Sequence, residues 1–423
     1  MNRMKRVFLA ITAFLLIFIP AFAFDSVKQA RAPLSLQQCL DMAVKYSGEL
    51  AVQNEKRNEA SQKVRQSRGG ILPSVDFIYQ KTYRDTAGGL YTTDLTDSKF
   101  SMTQPLFQGF SKASAYTIAG NDLRKEDLNY ESARRALKAA VTQAFYSLAQ
   151  IDGDIVNIEN TRTAMATRRS ELQERARLGK SRESEVLMIE SQIATLAAQE
   201  EKSLSDRAVA AEELAYLTGS GSQMIAIVDD TPAPAAQAAG IDTYITAVKT
   251  RSDVAALQKD VESQKLKLRA ARGSLLPTLD LNGAFYTQKS GTTNADSKWD
   301  AALVLNAPLF RGGANLGKAA EEAARLREYE ANLDLYLREI VTQTKQLYRA
   351  ADSSIKQATA YKDAFDKAER SYRMQLSDYK YGLVSNLDVI QAMLTVLDVK
   401  KNYGRALIQS KIDRAMLEIA AGS

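Results

Sequence analysis

Two hydrophobic periods take turns along this chain, and the whole alternation occurs twice. Val75, Phe77, Tyr79 and Tyr83 alternate with Asp76, Gln80 and Thr82, and Phe100 and Met102 follow beside Ser101 and Thr103. Leu279, Leu281 and Phe285 alternate with Asp280, Asn282 and Ala284, and Trp299, Ala301, Leu303 and Leu305 follow beside Asp300 and Asn306. A period of two predicts strands. The connections 85–95 and 289–297 are rich in Gly, Thr, Asp, Asn and Ser, as hairpin loops are. Each pair of strands precedes a long segment with helical spacing.

The prolines bound those segments. None lies between Pro105 and Pro232 or after Pro308, and an interior proline costs a helix about 3 kcal/mol. Residues 318–381 hold neither Gly nor Pro, and one helix of that length would run about 96 Å. A 4-3 seam passes through Leu333, Leu337, Ile340, Thr344, Leu347, Ala351, Ser354, Ala358, Tyr361, Phe365, Ala368 and Tyr372, as in a coiled coil. On this reading Tyr336, Tyr348, Tyr361 and Tyr372 serve helix packing. Residues 111–178 form the matching segment of the first half, interrupted by Gly120 and Gly153. Each long segment stops at a glycine, Gly179 or Gly382, which suits a reversal, and helices return over about 182–217 and 385–420.

The repetition is explicit in the residues. Arg68-Gly69-Gly70-Ile71-Leu72-Pro73 recurs 204 positions later as Arg272-Gly273-Ser274-Leu275-Leu276-Pro277. Gln104-Pro105-Leu106-Phe107-Gln108-Gly109 recurs 203 later as Ala307-Pro308-Leu309-Phe310-Arg311-Gly312. Leu178-Gly179 with Glu185-Val186 recurs as Tyr381-Gly382 with Asp388-Val389. This offset is far too long for a solenoid unit. The expected organisation is a signal peptide over 1–23, a first repeat over 24–219 with strands at about 74–83 and 97–106, a linker over 220–240, and a second repeat over 241–423 with strands at about 278–288 and 299–309.

Arg3, Lys5 and Arg6, the apolar run 7–19 and Ala21-Phe22-Ala23 have the form of a secretory signal with a small-x-small cleavage site. No later run reaches the roughly 18 apolar residues of a spanning helix, so entry into a membrane would have to use strands. With no histidine and one cysteine, no intrachain disulfide and no zinc site of the usual kind is expected, and Cys39 reads as a small buried helix residue. The +6 charge is dispersed, which argues against nucleic acid as a partner. No nucleophile–base pair, phosphate loop or metal cluster stands out, so no enzyme and no cofactor is expected.

Strands of about ten residues with an aromatic face fit a tilted crossing of a bilayer, and equally fit a half-buried sheet on a soluble protein. Four strands cannot close a barrel, and an open edge in lipid strands unpaired N–H and C=O groups. If the strands do cross, several chains must pool them, and helices far longer than the bilayer must project into water.

Over its mature length the chain resembles the TolC family of outer-membrane efflux and secretion channels. The resemblance rests on the duplicated layout, on Leu-Pro before each first strand, on Gln104–Gly109 and Ala307–Gly312, and on the stretch Tyr381–Val389. It implies a mainly α fold with inserted β: a homotrimer whose four strands per subunit make a 12-stranded barrel in the outer membrane of a Gram-negative bacterium, above a periplasmic tunnel of coiled-coil helices. It also implies a periplasmic adaptor (membrane fusion protein) and an inner-membrane transporter as partners. The function implied is the passive exit duct of a tripartite efflux pump, with type I protein secretion as the alternative. A soluble periplasmic coiled-coil adaptor is the competing reading from another class.

The resemblance further implies a periplasmic gate at the second glycine turn, with Leu383, Asp388 and Gln391 as candidates. Family gates carry two carboxylates three residues apart; this chain has Asp388 but Gln391, and Val384 where a charged latch can sit. Ser385 and Asp388 also have the spacing of a capping box, so Asp388 has both a capping and a pore-lining reading. The two turns supply candidates for adaptor docking: Gly179, Lys180 and Arg182 in the first, Gly382, Leu383 and Val384 in the second. Glu183 and Glu185 share the first turn as solvated or docking residues. Tyr79, Tyr83, Phe100, Phe285 and Trp299 are candidates for lipid-facing aromatic belts, against ordinary strand packing.

Overall fold

A computed structural model describes residues 33–85, 92–220, 225–234, 239–289 and 297–422. The signal segment 1–23 lies outside them. The first half runs α1 (Leu36–Tyr46), α2 (Gly48–Gly69), β1 (Ser74–Asp85), β2 (Thr92–Gln108), α3 (Ser111–Arg177) and α4 (Glu183–Thr218). The second runs α5 (Ile241–Val248), α6 (Ser252–Gly273), β3 (Thr278–Gln288), β4 (Trp299–Asn306), α7 (Ala314–Lys380) and α8 (Asn386–Ala421).

The duplication is metrical. α2 and α6 both have 22 residues, α3 and α7 both 67, and α4 and α8 both 36. Each 67-residue helix spans about 100 Å. Gly120 and Gly153 do not interrupt α3, because the helix gains tertiary packing along its length that outweighs about 1 kcal/mol per glycine. The seam of α7 is buried at Ile340, Thr344, Ala351, Ser354 and Ala358, while Tyr361 is exposed. Thr344 and Ser354 are tolerated there because their hydroxyls bond back to the carbonyls of Ile340 and Ala351. Tyr348 stacks obliquely on Tyr244 of α5 at 5.9 Å, and the hydroxyl of Tyr336 donates to Asp253 of α6 at 2.8 Å.

The largest buried apolar cluster among the described residues lies where α1, α3 and α4 meet. Phe145, Tyr146, Leu148, Leu214 and Cys39 are fully buried there. Burial pushes the Cys39 thiol up to about 11, so it behaves as a small apolar group. The described part of the linker binds across this level. Leu34 exchanges backbone hydrogen bonds with Ala226 and Val228, and Lys411 of α8 donates to Asp229 and to the Thr231 carbonyl, each at 2.6 Å.

The four strands form one antiparallel sheet in the order β1-β2-β3-β4. The two hairpins keep one register under the duplication: Ser74 pairs with Thr103, and Thr278 with Asn306. The halves join through β2 and β3, leaving β1 and β4 as edges. β1 runs two residues beyond the expected end, and β2 begins at Thr92, inside the stretch read as a loop, because it pairs with the far end of β1. β4 stops at Asn306 rather than near 309, whereas β2 continues through Pro105 to Gln108. The reason is the neighbour. β3 lies alongside 104–108, with a register shift at Pro105, which has no N–H to give. No strand of the described chain lies alongside 307–311.

Candidate functional site

Both tips reverse by the same backbone device. At the first, Gly179 has φ +71°, its N–H donates to Ala176 O, and Lys180 N–H reaches back to Arg175 O at 2.8 Å. At the second, Gly382 has φ +73°, its N–H donates to Tyr379 O, and Leu383 N–H reaches Asp378 O at 3.0 Å. This is the Schellman ending, and the positive φ is why glycine stands at both places. Lys180 and Leu383 are exposed at the two apices, Arg182 is exposed, and Val384 is half-buried.

The tips differ one residue further on. Ser385 caps α8 in a reciprocal box. Its N–H and hydroxyl donate to one Asp388 carboxylate oxygen at 2.8 and 2.6 Å, and Asp388 N–H donates to the Ser385 oxygen at 3.3 Å. Those donors, the hydroxyl first, hold the Asp388 carboxyl below its ordinary value. The carboxylate also sits in the first helical turn, where the macrodipole favours it. The corresponding residue of α4, Arg182, makes no side-chain cap, and Ser181 donates instead to Glu185 at 2.5 Å. Asp388, Gln391 and Thr395 of α8 line one wall of a shallow groove whose other wall carries Ser371 and Gln375 of α7.

Behind this turn lies a contact that sequence reasoning missed. Asn386, the first residue of α8, is 2% exposed, and its amide oxygen accepts from Nε and Nη2 of Arg168 of α3 at 3.1 and 2.9 Å. Arg168 also bonds Glu171 at 2.8 Å and stacks its guanidinium over Tyr379 of α7 at 4.1 Å, with Arg175 at 4.8 Å from the same ring. The second tip is thus held to the first half through α3. Asn386 sits within the recognised stretch Tyr381–Val389, a local signal; its partner, 218 residues away, has none.

At the other end of the molecule one row of aromatics crosses the whole sheet. Phe77 pairs with Phe100, Phe100 with Phe285, and Phe285 with Trp299. The Phe77 and Phe100 rings lie 5.1 Å apart. Cross-strand partners share a face, and Tyr79 and Tyr83 follow on that face by the period of two. All six are exposed, between 47% and 69%. Among the described residues no helix is long and apolar enough to cross a membrane, and no cluster that could hold a metal ion occurs.

A sheet with an exposed aromatic face, continued into paired helices of about 100 Å, defines the class: a β-barrel channel subunit carrying a helical tunnel. The comparisons agree. The model of the outer membrane efflux protein family matches residues 39–220 and 244–423, and the chain belongs to that family. It is 22% identical over 436 residues to outer membrane protein TolC of Escherichia coli (strain K12), covering 97% of this chain and 86% of that protein. It is 23% identical over 380 residues to the alkaline protease secretion protein AprF of Pseudomonas aeruginosa, covering 84% and 77%. Among solved structures, the CmeC outer membrane channel of Campylobacter jejuni superposes with a TM-score of 0.80 at 16% identity, covering 92% of this chain and 85% of that one. VceC of Vibrio cholerae does so at 0.78 and 16%, covering 91% and 94%. These relatives share its fold. The protein is an outer-membrane channel component, and the reading as a soluble adaptor gives way to family membership and to the four strands joining in one sheet.

Proposed function

We propose that three copies of this chain form the passive exit duct of a tripartite efflux pump. The observation that carries this is the open sheet: one exposed aromatic face, two unpaired edges, and four strands where a closed barrel needs roughly eight or more. Three subunits supply twelve strands and seal every edge, which a bilayer requires. The helices of three subunits then surround a water-filled tunnel on the periplasmic side. No catalytic step is required; a transporter in the inner membrane supplies the energy, and an adaptor bridges to the two glycine turns.

In this arrangement the second tip is the gate. Asp388 both caps α8 and places one carboxylate per subunit at the mouth, where three together favour cations. The Arg168–Asn386 contact is the tie between that tip and the outer helices. The experiment is purification from outer membranes in detergent, with mass by light scattering and conductance in planar bilayers. Trimers with low conductance are expected. Monomers, or trimers with a wide permanently open pore, would contradict the reading. The similarity to a protease secretion protein favours a second cargo class, exported polypeptide; deletion of the gene would then abolish secretion of a protein rather than raise drug sensitivity.

A further inference from the structure

Along the sequence the positive charge is dispersed; the fold gathers part of it at one level. α2 and α6 each end a few residues before the first strand of a hairpin. The stretches 63–73 and 263–277, which lead into those strands, hold seven Lys and Arg and no Asp or Glu, although Asp and Glu make up 50 of the 423 residues. We infer that Arg65, Arg68, Lys265, Arg269 and Arg272 form a phosphate-binding face that engages the headgroups of anionic phospholipid just below the barrel. The inference rests on the barrel reading above and adds a ligand at its lower rim.

Arg269 fixes the side on which this face lies. Its guanidinium stacks on the Phe110 ring at 4.4 Å, and Phe110 meets Phe107 edge to face at 5.4 Å. Phe107 pairs with Leu279, which shares the face of Phe285 by the period of two. The aromatic face of the sheet thus continues downward into an arginine. Lys265 and Arg272 stand one turn to either side of Arg269 on the same helix face. Arg65 and Arg68 are the repeat images of Arg269 and Arg272. All five are exposed. α6 packs against α3 and α7 of its own chain, so in the trimeric reading a neighbouring subunit does not cover its outer face. Lys267 lies on the opposite face of α6, in a groove with Gln108 and Thr278.

The depth fits a headgroup layer. Ile71, Leu72, Leu275 and Leu276 are 39–52% exposed between the helix ends and the strands, and mark the edge of the apolar band. Arg68 and Arg272 lie four residues before Leu72 and Leu276, about 6 Å at a helical rise. The polar layer on each side of a bilayer is about 5–7 Å deep. Arg65, Arg269 and Lys265 stand one or two turns lower, and long stems let such side chains reach upward.

Helix ends alone do not explain the stripe. A cation in the last turn complements the macrodipole, which accounts for Arg68 and Arg272. That effect fades beyond the last turn, and Arg65, Lys265 and Arg269 lie outside it. Nor do acidic partners explain it. Among the described residues only Lys265 of the five forms an ion pair, with Glu330 at 3.8 Å. Clusters of four to eight Lys and Arg beside a membrane-crossing segment are the pattern of an anionic-lipid site.

The test uses the full-length trimer in neutral detergent, titrated with phosphatidylglycerol, phosphatidylcholine and inorganic phosphate, with bound lipid counted by native mass spectrometry. Phosphatidylglycerol is expected to be retained in preference to phosphatidylcholine, and inorganic phosphate at the same concentration to leave it bound. Arg269→Gln combined with Arg272→Gln is expected to weaken phosphatidylglycerol binding about 30-fold, while Lys267→Gln leaves it at the parent level. Equal retention of the two lipids overturns the inference, and the parent protein alone decides that. Displacement by inorganic phosphate overturns the lipid assignment in favour of a soluble anion. A loss in Lys267→Gln as large as in the arginine pair overturns the assignment to one face. A trimer without lipid preference leaves the duct reading standing; monomers by light scattering bring down the duct, and this inference with it.

Discussion

Arg168 and Asn386 are joined by two hydrogen bonds, at 3.1 and 2.9 Å, between the long helix of the first half and the first residue of the last helix of the second. Both residues are nearly inaccessible to water, so losing one partner strands the other. A buried bond to a charged donor is worth about 1.5–3 kcal/mol. If that contact holds the tip in place, Arg168→Ala multiplies the open population by about 30-fold for a loss of about 2 kcal/mol. Single-channel recording checks this; conductance and open time equal to the parent protein would remove Arg168 from gating.

Ser385 controls the ionisation of Asp388. The Ser385 hydroxyl and N–H favour the carboxylate and hold its titration below the ordinary value. A lowered carboxyl keeps its charge, and the cap keeps its stabilising contribution, above that ordinary value; both are lost as the pH falls through the lowered one. Ser385→Ala removes the hydroxyl, so the pH at which cation preference disappears moves up. Reversal potentials in a salt gradient, scanned downward from neutral pH, measure the shift. Asp388→Asn is expected to abolish the preference at neutral pH, and unchanged selectivity in that variant would leave Asp388 as a cap only.

Trp299 is the sole tryptophan of the chain and ends the aromatic row that begins at Phe77. It is therefore a reporter that needs no engineering. Facing lipid, it emits in the blue and is quenched by brominated acyl chains while aqueous iodide leaves it bright. The opposite pattern of quenching would place this face in water.

The contact of Gly273 with Gly109 leaves no room for a methyl group. Gly273→Ala forces two backbones apart, and overpacking of this kind costs typically 1–3 kcal/mol or more. Gly153→Ala, in the middle of α3 with open space around it, is expected to be neutral or to stabilise by roughly 0.5–1 kcal/mol. Heat resistance of the trimer on gels separates the two; equal behaviour would contradict the close approach.

Much of this architecture was legible because it is written in short-range periods. The alternation at Val75–Tyr83 and the seam from Ile340 to Ala358 each depend only on near neighbours, and the matching offsets at Gly179 and Gly382 announced the duplication. The capping role of Asp388 was legible for the same reason, since Ser385 lies three residues away. What escaped depends on distant partners. β2 runs beyond 106 to Gln108 because β3 comes alongside, and β4 stops at Asn306, where no described strand does. The pairing of Arg168 with Asn386 spans both halves, and nothing local at Arg168 announces it.

The central claim is that identical chains pool their strands into one sealed wall. Light scattering of the detergent-extracted protein, corrected for bound detergent, tests it most directly. Three times the mass of the mature chain is the predicted result, in a species that needs detergent to stay in solution. A single-chain mass in plain buffer would contradict it.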